Sequence, residues 1–191
     1  MKYIERTLKG TFGYIRKQRR FEIIKTLLLY VMAFGLFFIG LLTLKTEKSL
    51  WSVFAVLALL PACKSLVGVI MLARFSSLSD EKYRSYSEKA TGIATLYENI
   101  MTTSSRTFFA PVIAYASGNL IVLTSEGEKE PDVLKEHIDQ VMTNAGHKPT
   151  VKVYTDEEAF LARLLELSDK YGNETSGRST DIMETIKAVS L

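Results

Sequence analysis

Residues 26–44 read TLLLYVMAFGLFFIGLLTL, and residues 50–73 read LWSVFAVLALLPACKSLVGVIMLA. The first run has no charged residue over roughly 19 positions, which at about 1.5 Å per residue reaches close to 28 Å and suffices to cross the hydrocarbon core of a bilayer. The second is longer and carries a single charge, Lys64. Two such runs separated by a few residues predict a transmembrane helical hairpin. A cleaved signal peptide is the rival reading of the first run. Against it stand a basic preamble of about 25 residues and the lack of a small-x-small cleavage signal after Leu44.

The flanks set the predicted orientation. Lys9, Arg16, Lys17, Arg19, Arg20 and Lys25 precede the first run, and Arg74, Lys82, Arg84 and Lys89 come after the second. The short loop between them offers Lys45 and Lys48 with Glu47. The positive-inside rule therefore places the loop outside and both termini in the cytoplasm. The chain's net charge of +3 divides unevenly: residues 1–79 hold twelve Lys and Arg against three acids, residues 80–191 twelve against eighteen, so +9 and −6. A nucleic-acid partner is not expected, because the basic residues lie beside the apolar runs and the remaining half would repel phosphodiesters. Attraction to anionic headgroups accounts for the basic flanks instead.

Helices associate in lipid by close approach, so small residues at helical spacing mark a seam. Ala55, Ala58, Ala62, Ser65 and Gly68 step by threes and fours, and Thr26, Ala33 and Gly40 by sevens. These stripes can face each other within the hairpin or support a homodimer. Lys64 lies roughly 120° off its stripe at about 100° per residue and should point away from the seam. It is read as snorkelling to the cytoplasmic headgroups, as meeting an anionic lipid or a partner's acidic helix, or as reaching the Leu57 carbonyl that Pro61 leaves unpaired. With Arg16, Lys17, Arg19 and Arg20 it forms the candidate set for lipid or partner contact. Residues 1–25 form a basic amphipathic segment with Ile4, Leu8, Phe12 and Ile15 on one helical face, either an interfacial helix or a simple basic flank.

The remainder predicts a small cytoplasmic α/β domain over residues 79–172. Tyr83, Tyr86, Ala90, Ile93, Tyr97 and Ile100 suggest a helix from Ser79 to about Met101. TFFAPVIAYA and LIVLTSE read as two strands around a Ser117-Gly118-Asn119 turn, with Pro111 arguing for an edge position or a bulge. Pro131 opens a helix with Leu134, Ile138, Val141, Met142 and Ala145 inward, closed by Gly146. TVKVYT is a third strand, parallel to the second across the helical crossover. Thr155 or Asp156 then caps a helix with Phe160, Leu161, Leu164 and Leu165 inward, ending at Gly172. The fold class is α+β: the hairpin, then helix-strand-strand-helix-strand-helix around a three-stranded sheet. Residues 173–191 form a C-terminal tail, in which DIMETIKAVSL is either a last short helix or loose.

Chemistry is sparse in the sequence. Gly172 to Ser179 has the P-loop spacing with Arg178 in the lysine position, but a helix precedes it where a buried strand is required, and Arg replaces the compact ammonium. His137 reads as a border residue of its helix and His147 as a solvated turn residue, with no zinc pattern around either. The acid-rich turn from Glu126 to Asp132 lacks the spaced oxygen ligands of a calcium loop. Cys63 is the single cysteine, so neither an intrachain disulfide nor a thiolate cluster can form. No metal or cofactor is therefore expected, and no catalytic residue can be named.

LKGTFGYIRKQRRFEIIKT and LPACKSLVGVIML resemble two-span membrane proteins of Gram-positive anaerobic bacteria, some of them labelled O-linked GlcNAc transferase-like. The resemblance implies the hairpin and covers most of the chain. It brings no functional residues, because too little chain comes after the hairpin for a two-domain sugar-nucleotide fold and no 34-residue repeat is present. The expected function is a membrane-anchored, non-enzymatic interaction or regulatory module. The alternatives are a membrane-bound enzyme and a subunit of a larger complex that receives Lys64.

Overall fold

The computed structural model describes residues 9–44, 50–103, 106–125, 128–172 and 177–191. They form two compact units. One is Ile15–Ser76, and the other joins the described part of Met1–Tyr14 to Ser77–Leu191.

In the first unit both apolar runs are helical, α1 at Tyr14–Leu44 and α2 at Leu50–Ala73, and both are long and apolar enough to cross a membrane. Their burial is the reverse of a soluble core. Thr26, Ala33, Ala62 and Ser65 are buried, while Leu28, Val31, Phe38, Leu42 and Leu60 are exposed. The helices are tied where small residues let them approach: the Thr26 hydroxyl donates to Ser65 Oγ at 2.8 Å, and Ser65 donates to Glu22 Oε2 at 3.2 Å. Both predicted stripes thus contribute to one intrachain seam. The amphipathic-helix reading of the first residues needs correction from Lys9 onward. Gly10 and Gly13 sit at φ +78° and +76°, left-handed backbone that no α-helix accommodates, and the helix starts at Tyr14. Ile4 and Leu8 lie outside the described residues. From Tyr14 the basic stretch runs without a break into the apolar one.

The second unit holds the sheet. Helix α3 spans Asp80–Lys89, capped as predicted by Ser79, whose hydroxyl accepts from the Lys82 amide. It stops well before the expected end near Met101, because Gly92 at φ +75° packs so tightly on the Gly172 backbone that a Cβ there would collide with the Gly172 carbonyl oxygen. The next element is a strand, β1 at Ala94–Thr102, so Tyr97 and Ile100 are sheet residues. Strand β2 is Thr107–Ala116 and β3 Asn119–Leu123. Helix α4 is Pro131–Asn144, β4 Thr150–Tyr154, α5 Glu157–Tyr171 and α6 Gly177–Val189. The sheet therefore has four strands and not three, in the order β1-β2-β3-β4, with antiparallel pairs except for the parallel β3–β4 pair predicted from its crossover.

Helices cover both faces. Leu134, Ile138 and Met142 of α4 and Ile182, Met183 and Ile186 of α6 pack on one side of the sheet. Tyr86 of α3 and Phe160, Leu164 and Leu167 of α5 pack on the other. Expected core positions Ala145 and Leu165 are exposed, since the first has become the α4 cap and Leu167 takes the inward place a turn beyond Leu164. Residues after 176 are no loose tail, because α6 fills one face of this core.

Pro111 lies neither at an edge nor at an inserted bulge. Strand β2 is central, and its register with β1 is unshifted from Ala94↔Tyr115 to Thr102↔Thr107. The ladder omits only the position where Pro111, which has no amide hydrogen, faces Glu98 at φ +54°. Side-chain alternation inverts there on both strands: Leu96 and Met101 lie on the α4/α6 face, as do Ala110 and Ile113. Glu98 is buried, and its carboxylate accepts from the Ser77 hydroxyl and, at 3.0 Å, from the Leu78 amide. The outer edge of β1 is clasped from both ends of the chain. Gly10 O accepts from Tyr97 N at 2.8 Å, and Leu191 N donates to Ile100 O at 2.9 Å.

Candidate functional site

A cleft of about 530 Å³ opens where three connections of the second unit meet: the β2–β3 turn at Gly118, the α4–β4 connection from Gly146 to Pro149, and the first turns of α6. Each side is shaped by a local requirement. Gly118 and Gly146 adopt φ +82° and +79°, which the tight turn and the helix end demand, and a Cβ at either would meet nothing within 4 Å. Tyr115 and Ile182, both buried, form the floor. His147, Lys148 and Arg178 line it from two separate elements, with Asp181 as the acid among them. Tyr115 is only 4% exposed, its ring belonging to the core on the α4/α6 side of the sheet.

Of the residues singled out by sequence, Arg178 reaches this cleft through the second position of α6. The P-loop reading fails on topology, since α5 precedes that loop; residues 173–176 of the motif lie outside the described residues. His147, expected to be a solvated turn residue, is half-buried in the cleft wall. Lys148 and Tyr115 are not legible as site residues in the sequence, because nothing in their local spacing connects them before the β2–β3 hairpin and the α4–β4 turn are brought together. His137 occupies the predicted border position on α4, with its Nε2 buried and unpartnered among the described residues. Among the described residues no three His, Cys, Asp or Glu gather in a metal-binding arrangement. In the acid-rich turn Arg106 pairs with Glu128 at 3.2 Å and Glu130 at 3.3 Å; Glu126 and Gly127 lie outside the described residues.

The proposed membrane-contact cations lie on both helices of the first unit. Arg16, Lys17, Arg19 and Arg20 lie on the first two turns of α1, where Arg16, Lys17 and Arg20 are exposed, and Lys64 is exposed on α2. None of the five pairs with a described residue, so the Leu57 carbonyl does not receive Lys64. Sequence reasoning overlooked Glu22, one turn before Thr26, which joins the seam through Ser65 and pairs with Lys25 at 2.7 Å. The signal was its i,i+4 spacing to Thr26 at the head of the small-residue stripe.

A second polar cluster joins α3 to α5. Glu157 accepts from Lys82 Nζ at 2.6 Å and from the Tyr86 hydroxyl at 2.8 Å. The Lys82 hydrogen bond, outweighing burial, lowers the Glu157 pKa, whereas burial and then the bond to Glu157 push that of Tyr86 up. The bonds are those of a structural strut, since both groups are spent on each other.

No protein-family model, no curated protein and no solved structure matches this chain.

Proposed function

We propose that this chain is a multi-pass bacterial membrane protein in which the α1–α2 hairpin anchors a cytoplasmic α/β module that works by binding, as an interaction or regulatory domain. The observation that carries the reading is the outward face of the hairpin. Leu28 (62% exposed), Val31 (65%), Leu42 (78%) and Leu60 (66%) stand out from both helices, while the small residues lie within. A core helix of a soluble protein hides such side chains, and in water this much contiguous apolar surface drives association, so lipid is the fitting cover. Free cations at the start of α1 supply attraction to anionic headgroups, and the excess of Lys and Arg on the two outer flanks favours both termini on the cytoplasmic side. Lys64 suits this geometry. It lies roughly 14 residues from the start of α2, or about 21 Å, which leaves its stem within snorkelling reach of the cytoplasmic surface.

The test is carbonate extraction of membranes combined with topology reporters at Leu191 and within residues 45–49. Retention in the pellet, an inside C-terminus and an outside loop are expected. Release into the supernatant, or a Leu191 reporter accessible from outside intact cells, overturns the proposal. A catalytic alternative is favoured only by the cleft, the place where a membrane-bound enzyme built on this sheet would hold its substrate.

A further inference from the structure

The two edges of the sheet are finished differently. Along β1 the outer edge is occupied by Gly10 O, by Leu191 N and by the bridge from Ser190 to Met101. Strand β4 ends the sheet on the other side, and no strand lies beyond it among the described residues. Its end residues fix which way its backbone faces: Thr150 N donates to Gly118 O at 2.7 Å, and Tyr154 O accepts from Thr124 N at 2.9 Å. Successive residues of a strand turn their amides to opposite sides. Thr150, Lys152 and Tyr154 therefore bond toward β3, while the N–H and C=O of Val151 and Val153 face outward. Outside the β3–β4 ladder neither valine has a hydrogen bond to any described residue.

We propose that this open edge of β4 is a docking site for an extended segment of a partner protein that carries a carboxylate opposite Lys152 and joins the sheet as a further strand. The inference rests on reading the α/β unit as a binding module, and not on the hairpin's place in a bilayer.

Backbone groups supply the attachment and side chains the choice. The outward N–H and C=O groups of Val151 and Val153 are the set that an antiparallel strand takes up. Both valines turn their side chains into the core on the α4 side, Val151 at 5% exposure and Val153 packed against the same cluster. The strand is thus held in place before a partner arrives, which limits the ordering cost of docking. On its other face Lys152 is exposed, with Nζ 5.2 Å from the centre of the Tyr154 ring. The residue opposite Lys152 in an added antiparallel strand forms a non-hydrogen-bonded pair, in which side chains come closest and opposite charges attract.

The same lysine argues against a second copy as the occupant. Two β4 edges meeting about a two-fold axis through this position would set Lys152 directly against its own counterpart, and an edge lysine is a common device against such pairing. Charge points the same way. Residues 80–191 carry a net −6, yet the charged residues between positions 148 and 154 are Lys148 and Lys152, both exposed. An acid-rich unit therefore presents a cationic edge, complementary to an acidic strand.

The test is residue-resolved amide hydrogen exchange on the full chain in uncharged detergent. The probes are the end-blocked pentapeptides Thr-Val-Glu-Val-Thr and Thr-Val-Lys-Val-Thr. In the free chain the Val151 and Val153 amides should exchange at least about tenfold faster than that of Lys152. At millimolar concentration the glutamate peptide is expected to slow them saturably by about fivefold, and the lysine peptide to leave them unchanged. Lys152→Glu, at an exposed position, should reverse that preference. N-methylation of both valines of the glutamate peptide should abolish the protection, which separates strand addition from charge attraction alone. Lack of saturable protection by the glutamate peptide overturns the proposal, as does protection that survives Lys152→Glu or the N-methyl groups. Slow exchange of both valines without peptide also overturns it, showing a covered edge where it is independent of protein concentration and a second copy where it grows with concentration. Loss of protection with carbonate retention and topology intact strikes the docking edge and leaves the membrane-anchored reading standing.

Discussion

The hairpin and the α/β unit are built from the same apolar residue types turned in opposite directions. In the α/β unit the large side chains, Phe108, Phe160, Leu134 and Ile113, are fully buried between sheet and helices. Along the apolar runs of the hairpin, Thr26, Ala33, Gly40, Ala62 and Ser65 are buried among the described residues, and large side chains such as Leu28, Val31, Leu42 and Leu60 face out. Where water is the surroundings, apolar volume goes inside because its transfer from water drives folding. Where hydrocarbon surrounds the helices that drive is gone, and close approach and interhelical hydrogen bonds decide what goes inside.

Five substitutions can break or sharpen this contrast. The largest effect is expected from Gly92→Ala, which combines a positive φ with a backbone clash against Gly172 that no side-chain rotation relieves. It should cost more than about 4 kcal/mol, read as loss of the cooperative urea transition of the α/β unit in detergent-solubilised protein. A wild-type-like midpoint would show that the Gly92–Gly172 approach can open without penalty. Next comes a matched pair. Phe160→Ala empties a fully buried site and should cost about 3–4 kcal/mol, whereas Phe38→Ala, 56% exposed on the hairpin, should leave the same transition unmoved. Equal effects would erase the distinction between the two interiors. Ala62→Leu, at a fully buried seam position, should cost about 1–3 kcal/mol by forcing the helices apart. It is checked by loss of crosslinking, with a short bifunctional thiol reagent, between Cys63 and a cysteine introduced by Tyr30→Cys, where the native Tyr30 hydroxyl reaches to 4.0 Å from Cys63 Sγ.

The smallest effect concerns pH. Because burial and Glu157 raise the folded-state pKa of Tyr86, its contribution to stability is complete below the ordinary tyrosine value of about 10 and is lost as pH climbs from there through the raised folded value. The stability gap between wild type and Tyr86→Phe should therefore narrow as pH rises above about 10. Glu157 works in the other direction. Its lowered pKa, set first by Lys82, contributes stability above the ordinary carboxylate value that fades as pH falls through the folded one. A gap that stays constant through the alkaline range would show that the phenol ionises as readily folded as unfolded.

Periodicity and caps make most of the architecture legible. The two long apolar helices, the Ser79 and Asp156 caps, Pro131 at the start of α4 and the parallel β3–β4 crossover come from local signals that the fold leaves intact. Strand β1 is hidden because Tyr97 and Ile100 continue the three-and-four spacing of Tyr83 and Tyr86, and inversion at Glu98 destroys the period-two alternation that would announce a strand. Thr95 beside Gly92 is the remaining clue. Arg178 stands out in the sequence for a motif it does not form. Its company in the cleft, Tyr115 and Lys148, depends on turns distant in sequence, which no local pattern encodes.

The clasp on β1 makes the α/β unit a discontinuous body, with the hairpin inserted between residue 14 and residue 77. A fragment cut out at Ser77 for crystallisation or screening would leave the Tyr97 amide without the Gly10 carbonyl and uncover the Leu96 side chain on which Gly10 rests. Such a piece would carry a raw strand edge and tend to self-associate, and that stickiness would be an artefact of the scissors and no property of the protein. A faithful water-soluble version must splice residues 9–14 back in ahead of Ser77.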